Sequence, residues 1–146
     1  DQEWEVLRRR LERGRDEHEL RQVTDAATLR SMQAAIETVT VDDSITRYCV
    51  ELAAATRRHA SVLVGSSPRG ALALMLVARS VAVLRGRDYV VPEDVKSVAA
   101  AVLAHRVTVR PELWMSDVSA AAVVRDVLAS VPTPAARDAL PGDGDR

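Results

Sequence analysis

The chain has 146 residues and a formal charge of -1 at pH 7; that length suffices for one domain with a sizeable core, and the balanced charge argues against a broad nucleic-acid footprint. Its hydrophobic share is 47% but its aromatic share only 3%, with no Phe, so the core is aliphatic and suits packed helices. A single cysteine, Cys49, excludes an internal disulfide framework or a cysteine-based zinc finger, and Arg79 and Arg85 keep the longest apolar run below the roughly 20 residues of a membrane span. Trp4, Leu7 and Leu11 recur at helical spacing and predict a first helix over Gln2 to Arg13, which Gly14 stops. The polar stretch to Thr24 reads as a loop. Asp25 then caps a second helix whose apolar face is Leu29, Met32, Ile36 and Val39. Asp42 or Asp43 caps a third, in which Ile45, Tyr48, Cys49, Leu52 and Ala53 follow the i, i+3, i+4, i+7, i+8 series.

From His59 to Ser66 the chain reads as a short loop. Ser67 followed by Pro68 marks a helix start: the serine oxygen is placed to accept an N-terminal amide, and proline supplies a preset φ with no orphan N–H. That helix runs to about Arg85 and stops at Gly86; its residues Ala71 to Leu76 are apolar all round, which predicts a central position. Tyr89 to Val91 reads as a very short strand, expected to pair with Val107 to Val109. Between them, Pro92, Glu93 and Asp94 open an acidic helix N-terminus suited to the helix dipole, and Val95, Val98, Ala99, Val102 and Leu103 form that helix's buried face. A last helix, from Asp117 or Ser119 to Ser130, presents Val124, Val127, Leu128 and Val131. The expected architecture is an all-α bundle of five or six helices with a two-stranded β ribbon. It occupies residues 1–132, and the Pro, Ala, Gly and Asp of residues 133–146 predict a disordered tail.

No segment carries chemistry of its own. Gly65 and Gly70 have the spacing of two phosphate-loop glycines, but Ala71 and Leu72 stand where that loop needs Lys and Ser or Thr, and Pro68 removes an amide from the nest. His18, His59 and His105 lack metal-ligand spacing, and Cys49 lies on an apolar face with no positioned base. The carboxylates of Asp1 to Glu19 interleave with Arg as a solvated helix face does.

The segment Gly65-Ser66-Ser67-Pro68-Arg69-Gly70 ahead of an alanine- and leucine-rich helix resembles the Gly-Ala-Ser-Pro-Arg-Ala motif in the lid domain of MoxR-family AAA+ ATPases. The flanking runs are similar to family signatures in family order: Ala55-Thr56-Arg57 with His59, Leu84-Arg85-Gly86-Arg87-Asp88-Tyr89-Val90, Pro92-Glu93-Asp94-Val95-Lys96, and Val102-Leu103-Ala104-His105-Arg106. The resemblance is dense from about Val41 to Val109 and thins on either side. Ser66 and Gly70 depart from it, since alanine is common at both places; Gly70 near a helix start costs on the order of 1 kcal/mol against Ala.

The resemblance implies that Arg69 is the sensor 2 residue, with Ser67 and Pro68 forming its helix start. Local chemistry fits an anion there, because helix amides and dipole already favour negative charge and a guanidinium fork suits phosphate oxygens. An ion pair with a nearby carboxylate, or extension into water, is the structural alternative. Arg57 and Tyr48 are lesser nucleotide-site candidates, against a helix-dipole role for Arg57 and core packing for Tyr48. By the same resemblance the chain, which opens at Asp1 without an initiator Met, is a fragment of a cytoplasmic, ring-forming ATPase with chaperone-like remodelling activity. Its partners would be an upstream AAA+ core of the same chain, neighbouring subunits and von Willebrand A domain proteins, with no nucleic acid and no membrane insertion. ATP and Mg would bind the intact parent, and neither the fragment alone, which is not expected to be catalytic. From a different class, Tyr89-Val90-Val91-Pro92-Glu93-Asp94-Val95 resembles the short strand and helix start of histone-fold proteins, an alternative that predicts salt-dependent DNA binding.

Overall fold

In the computed structural model, which describes residues 2–14, 20–116 and 118–135, six α-helices carry the chain: α1 (Gln2–Arg13), α2 (Ala26–Glu37), α3 (Asp43–Arg58), α4 (Pro68–Leu84), α5 (Pro92–Leu103) and α6 (Ala120–Ser130). Two short strands, β1 (Val62–Val64) and β2 (Thr108–Val109), pair antiparallel. The expected helical bundle with a two-stranded ribbon is therefore the observed fold. Residues 15–19, position 117 and most of the tail expectation, residues 136–146, lie outside the described residues.

The helix ends follow their chemistry. Asp25 Oδ1 accepts the Thr28 N–H at 2.7 Å, Asp42 Oδ1 accepts the Ser44 N–H at 2.7 Å, and Ser119 Oγ accepts the Ala122 N–H at 3.1 Å. These bonds satisfy donors that a helix N-terminus leaves orphaned. Ser67 departs from its expectation: it holds the N-cap position with no side-chain bond, and its carbonyl accepts the Gly70 N–H at 2.8 Å. At the other end of α4 the chain leaves through Gly86 at φ 71, a conformation that costs glycine little.

Two compact units divide the chain, Asp1–Met32 and Gln33–Arg146. In the first, the apolar series of α1 and early α2 is regular but uncovered: Trp4, Leu7, Leu11, Leu29 and Met32 are all exposed. Their periodicity marks helices correctly, and of the α2 apolar series only Val39, beyond the helix end, is buried.

The second unit holds the core. Ile45, Leu52, Leu74, Val95 and Leu103 are fully buried, each contributing about 1.5–3 kcal/mol by leaving water. Helix α4 packs against both α3 and α5, and α6 closes over α3 and α5 with Val123, Val124 and Val127. The central helix is only partly enclosed. Ala71, Leu74, Ala78 and Ala82 are buried, while Leu72 and Leu76 of the all-apolar run reach solvent.

Strand pairing corrects the sequence expectation. Tyr89–Val91 and Val107–Val109 do not pair; β2 instead pairs with β1, from a segment that reads as loop, while Tyr89 forms an isolated parallel bridge to Thr40. Thr40 donates to the Asp88 carbonyl at 2.8 Å and accepts the Val90 N–H at 3.1 Å. The link before α3 is thus tied to the link before α5, and Val39 and Val90 are buried there together with the core.

Candidate functional site

The last turn of α3 and the start of α4 form one hydrogen-bonded assembly. Thr56 is fully buried; its hydroxyl donates to the Ala53 carbonyl at 2.7 Å and accepts the Ser66 N–H at 2.9 Å. Arg57 Nη1 donates to the Ser66 carbonyl at 2.6 Å and, more weakly, to Ala53 at 3.4 Å. Both backbone groups of Ser66 are therefore held from α3. Gly65 permits this approach, because a Cβ there would stand 2.6 Å from the Arg57 Cα and backbone nitrogen.

Ser66 and Gly70 explain each other. Ser66 is fully buried, and a Cβ on Gly70 would fall on the Ser66 hydroxyl oxygen and approach Leu103 Cδ2 to 3.1 Å. The hydroxyl occupies the room that an alanine methyl at position 70 would need. Read alone, Gly70 is a helix-propensity loss; in three dimensions it is one half of a packed pair.

This frame presents Arg69 at the second position of α4. The residue is exposed, and it makes no hydrogen bond or ion pair among the described residues. Of the two structural alternatives, a carboxylate partner is not found among the described residues, and extension into water is what the exposed side chain shows. Beside it, an open groove between α3 and α4 is lined by Cys49, Val50, Ala53, Arg57, Pro68 and Leu72 among others. Its floor is inert. Cys49 is buried, and burial pushes its thiol up to about 11.

The other two candidates, Arg57 and Tyr48, both lie on α3. Arg57 spends a guanidinium nitrogen on the Ser66 carbonyl, three residues before Arg69. Tyr48 is buried in the core at 2% exposure, its hydroxyl without a hydrogen bond of good geometry. Burial raises its pKa, and the nearby Thr133 offsets this only in part.

A second polar cluster was not foreseen. Asp94, fully buried, accepts from Arg87 Nη2 at 2.7 Å and Nη1 at 2.8 Å, from Arg85 Nη1 at 2.7 Å and from the Val91 N–H at 3.0 Å. Burial alone would raise the Asp94 pKa, but the Arg87 and Val91 hydrogen bonds and the two arginine charges outweigh it and hold the carboxyl below the usual aspartate value. Arg87 also donates to the Tyr89 carbonyl at 2.9 Å and lies over the Tyr89 ring. The Arg85-Gly86-Arg87-Asp88-Tyr89 run is thereby a clasp between the end of α4 and the start of α5. Sequence reading assigned Asp94 to the helix dipole, and an arginine pair seven and nine residues away gives no periodic signal of an ion pair.

Comparison with known proteins follows the same residues. The model of the AAA lid domain family matches residues 54–127, half of the chain, and covers the Thr56–Arg57 turn, the Arg69 helix start and the Asp94 clasp. The chain belongs to the AAA lid domain family. Among curated relatives this lid is 41% identical over 109 residues to the YeaC protein of Bacillus subtilis, covering 75% of the chain and 34% of that protein. It is 32% identical over 133 residues to chaperone MoxR1 of Mycobacterium tuberculosis, covering 85% of the chain and 35% of that protein. A crystal structure of a candidate ATPase from Cytophaga hutchinsonii superposes with a TM-score of 0.80 at 29% identity, over 92% of the lid and 44% of that chain. The lid thus falls with the MoxR-type AAA+ domains, and it spans about a third of the length of the curated relatives it matches. Among the described residues no helix is long and apolar enough to cross a membrane, and no group of three or more His, Cys, Asp or Glu side chains could hold a metal ion.

Proposed function

We propose that this lid closes over ATP bound to the AAA+ core that accompanies it in MoxR-type ATPases, and that Arg69 acts there as sensor 2. The observation that carries this reading is the guanidinium of Arg69, unpartnered among the described residues and exposed at a helix start that is itself tightly held. A cation with no protein partner among the described residues, at the positive end of a helix dipole, suits an anion from outside the lid. Its planar fork offers paired donors to phosphate oxygens, which a lysine would not.

The lid residues fit a nucleotide in this one respect only. ATP, bound with Mg through a phosphate loop, supplies the phosphoryl group that is transferred. The chain has no such loop, so Arg69 supplies charge and position rather than complete catalysis. Residues 1–132 form the lid in this reading, and residues 133–146 are a tail. Ring subunits and von Willebrand A domain proteins are the partners it carries, in a cytoplasmic, chaperone-like remodelling factor. The name of the mycobacterial relative, a chaperone, supports that class of activity.

Replacement of Arg69 by Ala and by Lys in the intact ATPase tests the reading. Arginines that stabilise phosphoryl-transfer charge are worth about a thousandfold or more, and one that also reports lid position contributes less. Turnover should fall with Ala and recover only partly with Lys, while thermal stability stays within about 0.5 kcal/mol of the parent. A large stability loss, or unchanged turnover and nucleotide affinity, would make Arg69 a structural residue.

A further inference from the structure

We infer that Thr56 and Arg57 are positioning residues for Arg69, a latch by which the end of α3 sets where the α4 helix start points its guanidinium. The inference rests on the sensor reading of Arg69 and adds to it the residues through which the position is held.

The geometry is specific. Two residues before the α4 N-terminus, Ser66 has its N–H on the Thr56 hydroxyl at 2.9 Å and its carbonyl on Arg57 Nη1 at 2.6 Å. The hydroxyl that accepts from Ser66 is itself oriented, because its own proton goes to the Ala53 carbonyl at 2.7 Å inside α3. Gly65 lies flat on the Arg57 backbone, with no room for a Cβ. Three consecutive groups are thus fixed to one helix turn before the chain enters Ser67 and Pro68, whose ring presets φ. Beyond them α4 runs as one continuous helix from Pro68, so an angular error at Ser66 becomes a displacement of Arg69. A guanidinium misplaced by about 1 Å from reacting atoms can cost about a hundredfold in rate. Arg57 also borders the α3–α4 groove next to Pro68.

The test uses the intact ATPase for turnover and the full lid chain for amide exchange. Thr56→Val removes both hydroxyl bonds at nearly constant volume, Thr56→Ser restores them, and Arg57→Ala acts at an exposed position, where folding is safe if the buried Thr56→Val is not. Arg58→Ala is the control, because Arg58 lines a different groove with α6. Thr56→Val and Arg57→Ala should each speed exchange of the Ser66 amide and the first turn of α4, and lower kcat between about tenfold and a hundredfold with a smaller change in KM. Thr56→Ser should behave as the parent. On an Arg69→Ala background neither substitution should lower kcat further, since the group they position is gone. Loosened exchange with parental turnover, while Arg69→Ala remains impaired, would overturn the latch and leave the sensor reading standing. Unchanged turnover in Arg69→Ala would remove the sensor reading and the latch with it.

Discussion

Gly70→Ala is a substitution that sequence reasoning expects to stabilise the lid, and the structure predicts the opposite. Alanine is favoured over glycine in helices by about 0.5–1 kcal/mol. Its methyl, however, would fall on the buried hydroxyl of Ser66 and press Leu103 Cδ2 at 3.1 Å. Overpacking of this kind costs about 1–3 kcal/mol, so Gly70→Ala should lose about 0.5–2 kcal/mol net. Ser66→Ala vacates that space for a small cost, about 1 kcal/mol or less, because the hydroxyl's bond to the Ser67 carbonyl is long at 3.3 Å. The double variant refills the space with the methyl and keeps the backbone bonds of Ser66 to Thr56 and Arg57. It should match or slightly exceed the parent, which makes the coupling between the two sites about 1–3 kcal/mol. Urea unfolding of the four proteins, followed by helical circular dichroism, measures each term. A Gly70→Ala variant more stable than the parent, or single effects that add within about 0.5 kcal/mol, would refute the exchange of hydroxyl for methyl.

Other positions test the rest of the fold. Asp94→Asn should lose about 2–4 kcal/mol in chemical denaturation, because Arg85 and Arg87 lose the carboxylate between them, although both reach water. The folded Asp94 carboxyl titrates below its unfolded value, so its contribution is full above the usual aspartate pKa, near ~3.9, and is lost as pH falls through the lower folded value. An acid-unfolding profile of Asp94→Asn should therefore be flatter than the parent's below about pH 4, and parallel profiles would contradict the clasp. Tyr48→Phe should be neutral or slightly stabilising in thermal melts, since the hydroxyl it removes is buried without a well-formed bond. Cys49, with its thiol pushed up to about 11, should resist alkylation at pH 8 until the chain unfolds; rapid labelling of the native lid would contradict its burial.

The parts of the lid legible in its sequence are those that local chemistry determines. Ile45, Tyr48, Cys49, Leu52 and Ala53 mark one face of α3 by spacing alone, and all are buried. Asp25 is readable as a cap, Asp42 as one of two choices with Asp43, and Ser119 as one of two helix starts with Asp117, because a cap needs only its own first turn. Arg69 stood out through its helix start and family motif. What was not legible depends on groups brought together from a distance. The three residues of β1 are too few to show alternation, and their partner lies beyond two helices. Thr56 has no local mark of its bond to Ser66, ten residues on. In α1 the same periodicity that predicts burial in α3 belongs to an exposed face, because periodicity reports a helix and its stripe without saying what covers it.

A structure of the intact ATPase with a non-hydrolysable ATP analogue measures the central claim most directly, as the distance from the Arg69 guanidinium to the terminal phosphate. The account predicts guanidinium nitrogens within about 2.7–3.2 Å of phosphate oxygens, with Ser66 still held by Thr56 and Arg57. An Arg69 side chain paired with a protein carboxylate, or turned to solvent with the lid closed over the nucleotide, would contradict it.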